Sequence, residues 1–308
     1  MTSTLTAADD RFHDVADTHP LWTETTWWGL HVPERSLGGM IYTLFRPNLG
    51  VATLLVAVWD AEACEPWRVP YHRSQWHIPL PDSDLDDIDV GGLRIRVRDP
   101  LRAYELTYAD GEALTLDLRV DAAMDPHVAI AERRAGHFDQ LCRVTGRLVV
   151  AGEPVDVDCL AIRDRSWYVR DDARSMQAGY VYGAVDEHHQ FLAFTGAFTD
   201  DDTSTVTGGY LIRDGEKATL TGGTRTVVSR RRGHPDAVTL TATDALGREF
   251  VVSGRVTASL ASQSTPGMFA WMSIADWTID GRAGHGEDHD VWSPDRLAHR
   301  PAAAGAGR

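Results

Sequence analysis

At 308 residues the chain is too long for one small domain and fits either a large β architecture or two domains of ordinary size. Its formal net charge of −15 leaves no basic stripe to neutralise phosphates, which argues against nucleic acid and anionic membrane surfaces as partners. It has no long apolar run and no basic, apolar signal-peptide start, and its three cysteines lack Cys-x-x-Cys spacing, so a soluble cytoplasmic protein with small buried thiols is expected.

From the N-terminus, Thr6–Val15 is a helical candidate and Trp27-Trp28 lie beside a strand-like segment. Pro81-Asp-Ser-Asp-Leu-Asp-Asp87 reads as a solvated loop. In Leu93-Arg-Ile-Arg-Val-Arg-Asp99 apolar residues alternate with arginines, the period of a half-buried strand. Pro126–Ala135 is the most convincing helix. Further short strands are expected at Leu114–Val120, Arg147–Val150, Val155–Ile162, Phe191–Ala197, Tyr210–Ile212, Lys217–Leu220, Arg225–Ser229, Ala237–Ala242, Glu249–Arg255 and Met272–Ile279. Asp110-Gly111, Asp214-Gly215, Gly222-Gly223, Gly233-His-Pro235 and Asp280-Gly281 supply turn chemistry between them. A second acidic loop spans Thr199–Ser204, and Pro301–Arg308 has nothing to bury. Many short strands at this spacing give an all-β fold of antiparallel sandwiches or barrels with few helices.

Common catalytic motifs are missing. There is no Gly-x-Ser-x-Gly elbow, no His-Glu-x-x-His and no glycine-rich strand-to-helix loop, so no cofactor is expected. Lys217, the only lysine, lies in a hairpin, which argues against Schiff-base chemistry. Neither acidic loop has the ligand spacing of a calcium site. His285-Gly-Glu-Asp-His-Asp290 is the best metal candidate by composition, but its glycines and its place near the chain end favour a turn, and no metal is expected.

Ala161-Ile-Arg-Asp-Arg-Ser-Trp-Tyr-Val-Arg170 gathers a carboxylate, three guanidiniums and two large aromatics. If it is a strand, Asp164, Ser166 and Tyr168 share one face, and Arg163, Arg165 and Trp167 the other. Separated from the arginines in an apolar pocket, Asp164 could act as an acid; paired with one of them, it would pin a corner of the fold. His137-Phe-Asp-Gln140 opens a second polar cluster, in which His137 and Asp139 are further candidates. If His137 and Asp164 face one cavity, they form a neutral acid–base couple that needs no metal; the alternative for His137 is a hydrogen bond inside a core. Most of the ten tryptophans should be core, but rings lining a cavity would suit an apolar ligand or a carbocation.

Four segments carry a family resemblance: Glu24-Thr-Thr-Trp-Trp28, Gly39 to Arg46-Pro-Asn48, the His137 segment through Arg143–Gly146, and Arg163-Asp-Arg-Ser-Trp167. Over most of residues 20–295 the chain resembles the double lipocalin-like superfamily of acyclic carotenoid hydratases, and within it a bacterial branch whose motif reads Arg-Asp-His-Ser-Trp-Gly. Here Arg165 replaces the histidine and Tyr168 the glycine. The resemblance implies two consecutive lipocalin-like β-barrel or sandwich domains. They would span residues 20–172 and 173–295, after an extension at 1–19 and before a disordered tail at 296–308. It also implies a ligand cavity within or between the domains, and catalytic roles for Asp164 and His137. The function expected is a cofactor-independent hydratase or dehydratase acting on an isoprenoid or terpenoid alkene. Asp164 would be the acid, His137 would orient or deprotonate water, and Tyr168, Trp167, Trp28, Ser166 and Asp139 would contact the substrate. A pericyclase folding a polyene and a carrier of hydrophobic ligands are the alternatives. The partner is a hydrophobic small molecule, with no stable membrane insertion, and the protein is expected to be a monomer or homodimer.

Overall fold

The computed structural model describes residues 5–13, 19–132, 135–198 and 202–299, with backbone alone at 130–132 and 135. The tail Pro301–Arg308 and Thr199–Asp201 of the second acidic loop lie outside these residues. The chain divides into two compact units. The first comprises residues through Val32, Gly38–Val58 and Pro70–Asp171; the second comprises Pro33–Leu37, Trp59–Val69 and the chain from Asp172. No helix among the described residues is long and apolar enough to cross a membrane.

In the first unit the strands are β1 (Trp22–Val32), β2 (Leu37–Arg46), β3 (Val51–Trp59), β4 (Tyr71–Pro79), β5 (Asp87–Val90), β6 (Leu93–Asp99), β7 (Ala103–Asp110), β8 (Leu114–Ala122), β9 (His127–Glu132), β10 (Ala135–Val150) and β11 (Glu153–Val169). They form one sheet in the order β4-β3-β2-β1-β11-β10-β8-β7-β6-β5, with β9 paired to β10. Side chains bring its two edges together. Arg73 of β4 donates to Asp110 at 2.6 Å, the Tyr71 and Tyr108 hydroxyls meet at 2.6 Å, and Gln75 donates to the Gly91 carbonyl at 2.8 Å. The sheet therefore curls into a nearly closed barrel. Two places in its interior are tightly packed: where Trp28, Leu106, Leu118, Val120 and Arg163 meet there is no space for water, and beside Asp10 and Tyr104 the void is about 10 Å³.

The second unit contains β12 (Ala178–Asp186), β13 (His189–Gly196), β14 (Thr203–Arg213), β15 (Glu216–Arg231), β16 (His234–Asp244), β17 (Glu249–Thr265), β18 (Met268–Ile279) and β19 (Arg282–Trp292). Each pairs antiparallel with the next and β19 closes on β12, giving an eight-stranded up-and-down barrel. Val181, Phe191, Val206, Leu240, Val252 and Trp277 fill it. Hairpin turns fall where the sequence predicts them: Asp214-Gly215 and Asp280-Gly281 have φ of 53° and 80°, and of 50° and 76°. After the barrel, Pro294–Ala298 forms one short helix capped by Ser293.

Three local expectations are corrected. Pro126–Ala135 is not a helix: His127–Glu132 is a strand paired to the first part of β10, because sheet pairing overrides the propensity of its alanines and glutamate. Thr6–Val15 holds one 3₁₀ turn, Ala7–Asp10, with Thr6 in a capping box, and residues 14–18 lie outside the described residues. Gly222-Gly223 is not a turn but lies within β15, where the register shifts. Gly223 has φ of 148°, and a Cβ there would lie 2.2 Å from the Thr241 carbonyl oxygen. All three cysteines are buried and unpaired with one another.

Candidate active site

The pairing of β11 between β1 and β10 sets the site. Asp164 lies opposite Asp139 of β10 and Trp27 of β1, while Ser166 lies opposite His137 and Thr25. Since side chains alternate, Asp164, Ser166, Tyr168 and Arg170 share the outer face of the barrel wall with His137, Asp139, Thr25 and Trp27. A register shift in the β9–β10 pairing falls between His137 and Phe138, and such bulges re-aim neighbouring side chains.

On this face His137 Nε2 lies 3.4 Å from Asp139 Oδ1. One donor atom each from His137, Asp139 and Asp164 lies within 4.8 Å of the others, and this trio is the group, among the described residues, that could hold a metal ion. Asp139 is fully buried, whereas Asp164 and His137 are partly open. Burial works against charging His137, but the Asp139 carboxylate beside it, and then Asp164, outweigh burial and raise its pKa to about 9. His137 is thus an imidazolium at neutral pH, which corrects the neutral couple expected from sequence.

Tyr42 of β2 completes the face. Its hydroxyl accepts a hydrogen bond from Arg170 Nη1 at 2.8 Å, and its ring lies 5.7 Å from that of Trp27. Burial, with smaller contributions from Asp164 and Tyr168, raises the Tyr42 pKa against the opposing charge of Arg170, so the phenol stays protonated. Arg170 also donates to Ser166 Oγ, which shares a 2.7 Å hydrogen bond with Thr25 Oγ1, and its guanidinium lies 4.8 Å from the Tyr168 ring centre. The structure therefore brings together Asp164, His137, Asp139, Ser166 and Tyr168.

It does not bring Trp167 or Trp28 to them. Trp28 pairs with Arg163 and faces the barrel interior, as strand alternation requires, and Trp167 points to that same side of β11. Trp27, its neighbour in sequence, takes the place expected of Trp28. Alternation carried as far as Arg170 would have found that residue too. No sequence signal marks Tyr42, because β2 is buried on both faces and shows no period of two.

The other half of the motif has a separate task. Arg163 donates to Asp10 at 2.9 Å and lies 4.2 Å from the Tyr104 ring centre and 4.9 Å from that of Phe138. Asp10 also accepts from Tyr104 and the Leu101 amide; although burial works the other way, the Arg163 charge and these bonds hold its pKa below the usual carboxylate range. Arg165 bonds to Glu24 and donates to the Arg11 carbonyl, and Trp167 stacks on His13 at 4.0 Å. Neither arginine pairs with Asp164; both dock residues 10–13 instead. Trp167 needs room across the sheet, and a Cβ at Gly136 would lie 2.1 Å from its ring. Gly136→Val should therefore displace the indole and cost about 1–3 kcal/mol, read as a lower denaturant midpoint.

His285–Asp290 is a strand rather than a turn, and alternation splits it. Asp288 and Asp290 point inward to Arg225, while Glu287 and His289 point outward. His285 Nδ1 lies 3.2 Å from Asp276, so these residues do not converge as a metal cage would.

A family model for a domain of unknown function (DUF7064) matches residues 6–288. No curated protein matches the sequence. Among solved structures, an AttH-like protein of Nitrosomonas europaea is 18% identical with a TM-score of 0.61, over 88% of this chain and 91% of that one. Kievitone hydratase of Nectria haematococca is 12% identical with a TM-score of 0.57, over 94% and 95%. CghA is 10% identical with a TM-score of 0.45, over 89% and 88%. Kievitone hydratase has the double lipocalin-like fold found here; at such identities the likeness to it and to the AttH-like protein concerns architecture, not activity. By the match over residues 6–288, the chain belongs to the DUF7064 family.

Proposed function

We propose that this protein is a cofactor-independent hydro-lyase that adds water to, or removes it from, an apolar alkene of isoprenoid type. One observation carries the reading: an imidazolium and two carboxyl groups converge beside Tyr168, Trp27 and Tyr42 on one face of the sheet. An imidazolium paired with the Asp139 carboxylate is a poor proton donor to carbon, so the donor is a carboxyl group. Asp164 is the better placed, because Asp139 is fully buried against His137. In the hydration direction, Asp164 gives its proton to the less substituted alkene carbon, and the aromatic faces stabilise the tertiary cation. Water adds to the cation, and the Asp164 carboxylate takes the proton that the added water releases, which restores the acid. His137 stays charged and stabilises the carboxylate left at Asp164 after transfer. Its proton also competes with any divalent cation for the trio.

The test is incubation of chelator-treated protein with short isoprenoid alkenes and tertiary alcohols in deuterated water, read by gas chromatography with mass detection. Hydrated, deuterated product that is lost in Asp164→Asn is the expected result. Saturable binding with no turnover would replace this reading with a carrier. Cyclisation of a polyene undiminished in Asp164→Asn would replace it with a pericyclase.

A further inference from the structure

A cleft of about 660 Å³ lies against the second barrel, and every residue that lines it belongs to the second unit. Its volume is that of a small-molecule site. Strand register explains its shape. On β17, β18 and β19, Ser253, Thr278 and Ala283 lie opposite one another, and Arg255, Asp276 and His285 form the next row on the same face. Both rows point outward, because the residues between them, Gly254, Trp277 and Gly284, are buried, Trp277 in the barrel core. Short side chains in the first row leave a hollow, and the longer polar side chains of the second row form its wall. The 3₁₀ turn Pro33–Arg35 adds the exposed Glu34 to the lining.

The wall is held by its own bonds. Asp276 accepts from Arg255 Nη2 and lies 3.2 Å from His285 Nδ1, which orients three planar polar side chains in one ladder across the strands. The Arg255 side chain is 71% exposed, and among the described residues only its Nη2 is committed, so the hydrogens on Nε and Nη1 are left for a ligand. The Ser253 and Thr278 hydroxyls, both exposed, donate as well as accept, and the Glu34 carboxylate accepts. Donors and acceptors thus stand side by side. Asp276 already neutralises Arg255, so an anion gains little in the cleft, while the guanidinium opposes a cation. A neutral molecule with several hydroxyl groups, each both donor and acceptor, matches the whole set.

We propose that this cleft binds a neutral polyhydroxylated molecule of the sugar class, with Arg255 donating to its hydroxyl oxygens and Glu34, Ser253 and Thr278 accepting from its hydroxyl hydrogens. The proposal does not depend on the hydro-lyase reading. It is tested by saturation-transfer NMR on the full-length protein with glucose, galactose, maltose, cellobiose and trehalose. At least one of them should bind saturably at millimolar or tighter affinity, about tenfold weaker in Arg255→Leu. Binding should be lost in Ala283→Trp, where an indole fills the hollow. Ala283 and Arg255 are both exposed, so neither change touches the barrel core, and an unaltered thermal midpoint checks this. No saturable binding of any of the five at tens of millimolar, binding undiminished in Ala283→Trp, or binding confined to the charged relatives glucosamine and glucuronate would each overturn the site.

Discussion

Arg225→Leu should destabilise the second barrel by about 3–5 kcal/mol, seen as a thermal midpoint lower by roughly 10 °C. Arg225 is fully buried and holds two fully buried carboxylates: Nε and Nη2 donate to Asp288 at 2.7 and 2.6 Å, and Nη1 to Asp290 at 3.2 Å. Asp290 keeps Arg230 and the Trp292 indole N–H after the change, but Asp288 loses its guanidinium. The cost is that of a charge stranded in a low-dielectric interior, not the net worth of the pair. Arg225→Lys separates charge from geometry. One ammonium cannot reproduce a fork that spans both carboxylates, so lysine should recover only part of the loss. Full recovery by lysine would mean that charge alone matters here.

The parts of the fold legible in the sequence are those where one side of a strand faces a core and the other faces solvent. Leu93–Asp99 and Leu114–Ala122 alternate buried and exposed positions, and they read as strands at sight. β1 to β3 do not, because nearly every residue in them is buried and the period of two disappears. That is also why Trp28, rather than Trp27, looked like part of the site. In β11 alternation sufficed: it separates Asp164 from Arg163 and Arg165, and the register does the same. What no local pattern could supply was the acid partners of the two arginines. Asp10 lies 153 positions from Arg163, and Glu24 lies 141 from Arg165. The charge on His137 is set in part locally, by Asp139 two residues along its strand, and in part by Asp164, which only the strand register brings alongside.

That charge leads to the second large effect. Asp164→Asn should lower the rate of hydration by about 10² to 10⁴, because the amide has no proton to give, while binding of the apolar substrate stays near the wild-type value. His137→Gln should also slow the reaction, since the carboxylate formed at Asp164 then loses the imidazolium beside it, but it should in addition change the dependence of stability on pH. The pKa of His137 is raised from 6.5 in a free chain to about 9 in the fold. The sign follows from linkage: the stabilisation from the bound proton is fully present below pH 6.5 and is lost as pH rises through 9. Over that window the unfolding free energy of the wild type should fall relative to His137→Gln by on the order of 3 kcal/mol in total. Urea titrations of both proteins at pH 6, 7.5 and 9.5 measure this directly. Parallel curves for the two proteins would mean that His137 is neutral in the fold, and the acid–base assignment at Asp164 would then have to be rebuilt without its cation.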